Sequence, residues 1–103
     1  MYKITYYIGC NDKDTLKQEL SDEFFISTLD GLFDNYTLSK TQGRFTNKDG
    51  VKTFEKSFVV TLITNNNYEI DDVYIQNNCF ELKSKLNQES ILVTKELIQA
   101  NFM

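Results

Sequence analysis

The order of hydrophobic patterns along this chain is the feature that most restricts its fold. Residues 2–8 alternate between two faces, with Ile4, Tyr6 and Ile8 on one of them, as expected for a strand with one buried side. A helical stripe, two long β-rich segments, a second helical stripe and a short apolar strand at residues 90–94 follow. The sequence therefore predicts the element order β-α-β-β-α-β.

The two helical segments are recognised by apolar residues that recur every three or four positions. Ser21 precedes the first segment and is a residue type that caps helix N-termini, and Asn65-Asn66-Asn67 offers cap candidates before the second. The first stripe consists of Phe25, Leu29, Leu32 and Phe33. The second stripe consists of Ile75, Cys79, Leu82 and Leu86.

A hairpin is predicted between the two helices. Residues 36–46 and 53–64 are rich in β-branched and aromatic side chains, and the intervening Asn47-Lys48-Asp49-Gly50 contains an Asp-Gly pair that supplies the positive φ of a tight turn. The second arm is apolar on both faces, with Phe58 and Val60 alternating with Val59 and Ile63. A strand of that kind belongs in the middle of a sheet.

These patterns predict an α+β fold of the ferredoxin-like type, with two helices on one face of a four-stranded antiparallel sheet, in one domain over residues 1–103. If Phe58 lies under the helices, then Tyr7, Val59 and Ile63 lie on the uncovered face. Large apolar side chains exposed together there are a liability unless a partner protein or a second copy covers them. We therefore expect a binding surface at Tyr7, Val59 and Ile63, with a homodimer through this face as one form of it.

The formal charge of −4 is unevenly distributed. Residues 11–35 carry seven acids against two lysines, whereas the hairpin region 36–64 carries five cations against two acids. The net acidity disfavours direct nucleic acid binding, because such proteins present positive charge to phosphates. The hairpin cations either protect an edge strand from aggregation or bind an acidic partner, and the candidate contacts are Lys40, Arg44, Lys52 and Lys56.

No catalytic, cofactor-binding or metal-binding residue is predicted. The chain has no histidine, which removes the commonest general base near neutral pH and every Cys-His or Ser-His nucleophile system. Cys10 follows a strand, but its activation would need a nearby lysine or helix N-terminus. Asp12 and Asp14 imitate a calcium loop without its glycine at the sixth position, and are expected to cap or solvate a turn.

The alternating N-terminal strand lacks the apolar segment of a signal peptide and the length of a membrane span. Cys10 and Cys79 are far apart and form no metal-binding or redox motif, which favours two reduced thiols. We therefore expect a cytoplasmic protein with no membrane partner.

Several short motifs resemble those of a group of small ferredoxin-like proteins from phages, mobile elements and low-GC bacteria. They are residues 8–15, the hairpin motifs Gln42-Gly43-Arg44-Phe45 and Asp49-Gly50, and Asn87-Gln88-Glu89-Ser90-Ile91. The resemblance implies a ferredoxin-like fold and no assigned activity. Cys10 replaces the apolar residue expected after Gly9, so no functional site is carried over.

Elimination leads to a hypothesis of function. The small size, acidic balance and absence of a catalytic set favour a non-enzymatic inhibitor, of the anti-defence kind that phages encode, acting by stoichiometric contact with a host protein. The alternative is a small-ligand or nucleotide-binding domain with weak hydrolytic activity, using Tyr7, Cys10 and the loop at 11–15 with a cation from the hairpin. A structural subunit of a phage particle is a third hypothesis.

Overall fold

The computed structural model describes residues 1–46 and 49–103. Four strands and three helices follow one another in the predicted order, with one short helix added before the second long one. The strands are β1 (Tyr2–Gly9), β2 (Thr37–Thr46), β3 (Lys52–Thr64) and β4 (Leu92–Leu97). The helices are α1 (Asp22–Leu32), α2 (Asn67–Ile70) and α3 (Asp72–Leu86).

The sheet is antiparallel, with the strand order β2-β3-β1-β4. β1 pairs with β3 along its whole length, from Tyr2 opposite Thr64 to Gly9 opposite Ser57. The ferredoxin-like α+β fold and the central position of the first and third strands are thus confirmed.

The core lies between the sheet and helices α1 and α3. Ile4, Tyr6 and Ile8 of β1 are fully buried, as are Phe25 of α1 and Phe58 of β3. The Phe25 and Phe58 rings lie 5.2 Å apart, centroid to centroid, so a ring from α1 packs directly on the central strand. Burying one such side chain contributes about 2–3 kcal/mol, which fixes α1 over β3.

Both long helices begin at a side-chain cap. The Ser21 hydroxyl accepts a hydrogen bond from the Phe24 amide at 3.1 Å, as the sequence predicts. The second helix differs from the prediction, because Asn66 caps only the short α2. The N-cap of α3 is Asp71, whose carboxylate accepts hydrogen bonds from the Val73 and Tyr74 amides. Asp71 satisfies two amides at once, so the chain starts a new helix there.

The last strand is displaced from its predicted position. The apolar run predicts a strand at residues 90–94, whereas β4 spans Leu92–Leu97. The position of β4 is set by its pairing with β1. Thr94 lies opposite Thr5 and Leu97 lies opposite Tyr2, so pairing with the β1 backbone continues the strand through polar residues.

The β2–β3 hairpin projects past the rest of the sheet. β1 ends at Gly9 opposite Ser57, so residues 52–56 of β3 pair only with residues 42–46 of β2. Gly50 has a φ of +79°, as the predicted Asp-Gly turn requires, whereas Asn47 and Lys48 of that turn lie outside the described residues. Within the described part of the chain, no helix has both the length and the apolar character needed to cross a membrane.

Candidate functional site

A cavity of about 330 Å³ lies where the projecting hairpin leaves the sheet. Four segments line it: Gly9 at the end of β1, the loop at 11–16, residues 53–55 of β3, and residues 88–90 between α3 and β4. Its volume is at the lower end of the range for small-molecule sites. We call it the Glu55 pocket, after the carboxylate in its wall.

Glu55 lies across the backbone of β1. A Cβ on Gly9 would sit 2.7 Å from both carboxylate oxygens of Glu55, too close for any side chain. In the sheet Glu55 pairs with Gly43 of β2, whereas Gly9 pairs with Ser57 and is a diagonal neighbour of Glu55. Because Gly9 has no side chain, it leaves a flat floor on which the Glu55 carboxylate lies.

One backbone amide holds the Glu55 carboxylate in place. The Asn11 amide donates to its Oε2 at 3.1 Å, and among the described residues no cation forms an ion pair with Glu55. The side chain is half-buried, so this acceptor faces the pocket with hydrogen-bonding capacity left. The carboxylate can therefore receive a hydroxyl, an amino group or another cation.

Hydrogen bonds at residues 87–88 connect the loop at 11–16 to the end of α3. The buried Gln88 side chain donates to the Asn11 carbonyl at 2.9 Å, and the Lys13 amide donates to the Asn87 carbonyl at 3.0 Å. Asn87 is in the left-handed region at φ 49°, which asparagine tolerates, and its amide group donates to the Asp12 carboxylate at 2.7 Å. These bonds fix one wall of the pocket relative to Glu55.

Asp12 organises the loop itself. Its carboxylate accepts from the Asp14 amide at 2.8 Å and from the Thr15 amide at 3.2 Å. The hydrogen bond from Asn87, with the one from Asp14, holds the pKa of the Asp12 carboxyl below its usual value. The two aspartates thus shape a turn, which is the role the sequence favours for them.

The Glu55 pocket is acidic. Among the described lining residues, Asp12, Glu55 and Glu89 are acidic and Lys13 is the one cation, which leaves an excess of two negative charges at neutral pH. Such a pocket repels phosphate groups and attracts cationic or hydroxyl-rich molecules. The described residues of the hairpin contribute Thr53 and Glu55 to this site, and no lysine or arginine.

Cys10 adjoins the pocket but does not line it. The residue is 2% exposed, its amide donates to the Lys56 carbonyl at 2.9 Å, and burial raises the pKa of its thiol to about 11. A thiol that remains protonated near neutral pH is a poor nucleophile.

The seven residues predicted as partner contacts fall on opposite faces of the sheet. Tyr7 and Ile63, 41% and 43% exposed, lie with Val59 on the face away from the helices. The cations Lys40, Arg44, Lys52 and Lys56 alternate with these positions and lie on the helix side. The two groups therefore cannot form one continuous surface.

Three of the four cations have partners within the chain. Lys56 binds the Asp22 carboxylate at 2.6 Å and Lys40 binds it at 3.2 Å, while the Arg44 guanidinium lies 4.7 Å from the centroid of the Phe54 ring. Lys52 pairs through its backbone with Thr46. Much of the charge of the hairpin thus fastens it to α1.

Sequence reasoning did not identify Glu55. In the sequence it is one charge among several in a strand, and its role depends on the closeness of its carboxylate to Gly9 at the end of β1. No local pattern signals this closeness, because it depends on the register between β1 and β3.

No family model and no curated protein matches the sequence. Several solved structures share the fold. A phage SAM lyase in complex with S-methyl-5'-thioadenosine is similar with a TM-score of 0.61 at 17% identity, over 92% of this chain and 79% of that one. A phage SAM lyase in the apo state is similar with a TM-score of 0.62 at 18% identity, over 92% of this chain and 78% of that one.

A second kind of protein also shares the fold. The periplasmic divalent cation tolerance protein CutA from Archaeoglobus fulgidus is similar with a TM-score of 0.61 at 11% identity, over 99% of this chain and 88% of that one. At these identities the likeness concerns the fold.

The function predicted from the sequence is wrong. A non-enzymatic anti-defence inhibitor was expected, but the solved structures described above include an enzyme, the phage SAM lyase, and none of those described is an inhibitor. The elimination failed because it tested for histidine-based, thiol-based and metal-based catalysis. Enzymes that use none of these were therefore not excluded.

Proposed function

We propose that this chain binds S-adenosylmethionine in the Glu55 pocket and cleaves it at the sulfonium. The observation that carries the proposal is the Glu55 carboxylate, laid over Gly9 in an acidic cavity and without an ion-pair partner among the described residues. The fold likeness to a phage SAM lyase supports the choice of ligand.

The charge of the pocket fits this ligand. S-adenosylmethionine carries a sulfonium and an ammonium against one carboxylate, and is therefore net positive. Its ribose hydroxyls are also groups that protein carboxylates commonly bind. A nucleoside polyphosphate is disfavoured by the same acidic lining.

The chemistry suits a pocket without histidine. When the bond between the sulfonium and the amino acid side chain breaks, its electron pair goes to sulfur, which leaves as the neutral thioether S-methyl-5'-thioadenosine. The leaving group needs no proton, so no general acid is required. The carbon left behind either is attacked by the carboxylate of the same molecule, giving a lactone, or its neighbour loses a proton to Glu55, giving an unsaturated amino acid.

Binding is tested by calorimetry and thermal unfolding with S-adenosylmethionine. At about 100 times its dissociation constant a ligand raises the free energy of unfolding by about 2.7 kcal/mol. We expect Glu55→Gln to weaken binding by about 10–100-fold, which corresponds to about 1.5–3 kcal/mol for a hydrogen bond with a charged partner.

The matched control is Glu81→Gln, the same chemical change on the surface of α3, where Glu81 forms only an exposed pair with Lys85 at 3.4 Å. We expect it to bind as the unchanged protein does. Failure of the unchanged protein to bind S-adenosylmethionine, or equal loss in both variants, contradicts the proposal.

Cleavage is followed by chromatography of the reaction mixture. We expect S-methyl-5'-thioadenosine to accumulate with an equal amount of a four-carbon product. If the product is a lactone, the role of Glu55 is to bind the cationic substrate. If the product is an unsaturated amino acid, Glu55 acts as the base. Binding without cleavage leaves the pocket a ligand site and contradicts the lyase activity.

The source of the chain belongs to the same proposal. We assign it to the small ferredoxin-like proteins of phages, mobile elements and low-GC bacteria, on its sequence motifs and on its shared fold with a phage enzyme.

A further inference from the structure

The face of the sheet away from the helices has little charge. Between the rows at Ser57 and Ile63, where every residue is described, Lys3 and Glu96 are its only charged side chains, although a quarter of the chain is charged. One cross-strand row on this face consists of four threonines. The next row consists of Ser39 and three larger residues. The rows are Thr37, Thr61, Thr5 and Thr94, and Ser39, Val59, Tyr7 and Leu92.

Several apolar side chains on or beside this face remain exposed. Leu92 is 62% exposed and Ile63 is 43% exposed. The chain end adds Phe102, which lines a shallow groove with Thr61 and Ile63 yet is itself 88% exposed. These side chains leave apolar surface exposed on the open face. A partner that buried this surface would form a more stable complex.

We propose that a second copy of this chain covers the open face, sheet against sheet. This inference does not depend on the proposed ligand. The chain has a net charge of −4, so two copies repel each other overall, whereas Lys3 and Glu96 cancel on this face and leave it neutral.

The two charges on the face also favour self-association. Lys3 and Glu96 are cross-strand neighbours, and neither forms an ion pair within the described residues of one copy. A two-fold interface uses the same surface on both copies. Lys3 of the first copy can therefore lie opposite Glu96 of the second, and Glu96 of the first opposite Lys3 of the second. A partner of different sequence offers no such built-in match.

The area is sufficient for a weak complex. Between the rows at Ser57 and Ile63 the sheet has 24 strand positions, and at about 4.8 Å by 3.4 Å each they cover roughly 400 Å² per copy, or roughly 800 Å² in total. Specific but transient complexes lie near this size. We therefore expect a dissociation constant in the micromolar range.

The test is sedimentation of the full chain over a concentration series. We expect the mass to rise from one copy to a defined oligomer across the micromolar range. Leu92→Lys and Tyr7→Lys, each placing a charge on the face, should raise the dissociation constant by at least about tenfold. Phe80→Lys is the matched control, since Phe80 is 67% exposed on α3, on the other side of the molecule, and should leave it unchanged.

A dilution series of the unchanged protein followed by NMR does not depend on how the variants fold. We expect amide resonances of β1 and β4 to shift with concentration and those of α3 to remain in place. A single copy throughout the micromolar range overturns the proposal, and so does dissociation caused by Phe80→Lys but by neither face variant.

Discussion

Gly9 shows how a residue with no side chain can define a site. Its position at the end of β1 has no unusual backbone angle, and only the closeness of Glu55 explains the need for glycine there. Any larger residue would displace the carboxylate from the pocket wall. The shape of the Glu55 pocket thus depends on two residues that are 46 positions apart in the sequence and in close contact in the structure.

Gly9→Ala tests this dependence. The new methyl group would lie 2.7 Å from the Glu55 oxygens, so the Glu55 side chain must move, which a flexible side chain can do at small cost in stability. We expect a nearly unchanged melting temperature and loss of the Glu55-dependent part of ligand affinity by calorimetry. Gly31→Ala, at a helix position where an added Cβ meets nothing within 4 Å, is the control and should bind normally. Normal binding by Gly9→Ala would show that Glu55 does not need this floor.

Cys10 provides a second prediction for a single residue. Burial raises the pKa of its thiol to about 11, so its thiolate is scarce in the folded protein at pH 8. We expect iodoacetamide to alkylate Cys10 at least about a hundredfold more slowly in the folded protein than in the unfolded one, as measured by peptide mass spectrometry. Cys79 is only half-buried and should be protected less, and equal rates in both states would contradict the assignment of an inert thiol.

Among the elements, α1 and the hairpin are joined by one carboxylate. Asp22, in the first turn of α1, accepts from Lys56 of β3, Gln18 of the preceding loop and Lys40 of β2. These bonds, with that from Lys56 the strongest, hold the pKa of the Asp22 carboxyl well below its usual range. The same pair raises the pKa of Lys56. A charge that sequence analysis assigns to an exposed helix face therefore links three segments.

The contribution of Asp22 should depend on pH. Its pKa is lower in the folded state than in the unfolded state, so its stabilisation is present above about pH 4, the usual aspartate value, and declines as the pH falls toward the folded-state value. We expect Asp22→Asn to melt at a lower temperature than the unchanged protein near neutral pH, with the gap narrowing below about pH 4. The exposed Asp34→Asn serves as the control and should change the melting temperature little at any pH. A gap that is constant from neutral to acidic pH would contradict an electrostatic role.

On the scale of the whole molecule, the sheet is supported unevenly. β1 and β3 are paired on both sides and contribute three buried core residues each, whereas residues 42–46 and 52–56 form a two-stranded ladder with no further strand beside it in the described part of the sheet. The elongated shape, 46 Å by 25 Å by 25 Å, agrees with a projecting arm. The Glu55 pocket lies where this arm meets the body, and one of its walls therefore belongs to the less stable part.

Amide hydrogen exchange can measure this difference. A two-stranded ribbon is marginally stable alone, so we expect amides in the ladder of 42–46 with 52–56 to exchange at least about a hundredfold faster than those of β1, an opening easier by about 3 kcal/mol. Saturating S-adenosylmethionine should slow exchange at residues 53–55 more than at the hairpin positions on β2. Uniform protection along β3 would show that the arm and the body open together.

The sequence by itself determined the architecture of this protein. Period-2 and helical spacing place Tyr6, Phe25 and Phe58 in the core, and Ser21 marks where α1 begins, because these signals depend on neighbouring residues and on the periods of helix and strand. The same periodicity places Tyr7 and Ile63 on the open face.

Only the tertiary structure decided the site. Glu55 faces a pocket because strand register ends β1 at Gly9, opposite Ser57 and beside the Glu55 carboxylate, and register is a relation between distant segments that no local pattern encodes. The same holds for Asp22 with Lys56 and for Asn87 with Asp12. From the local sequence, each of these residues is expected to lie on the surface without a specific partner. Their partners come from pairing across the sheet and between loops.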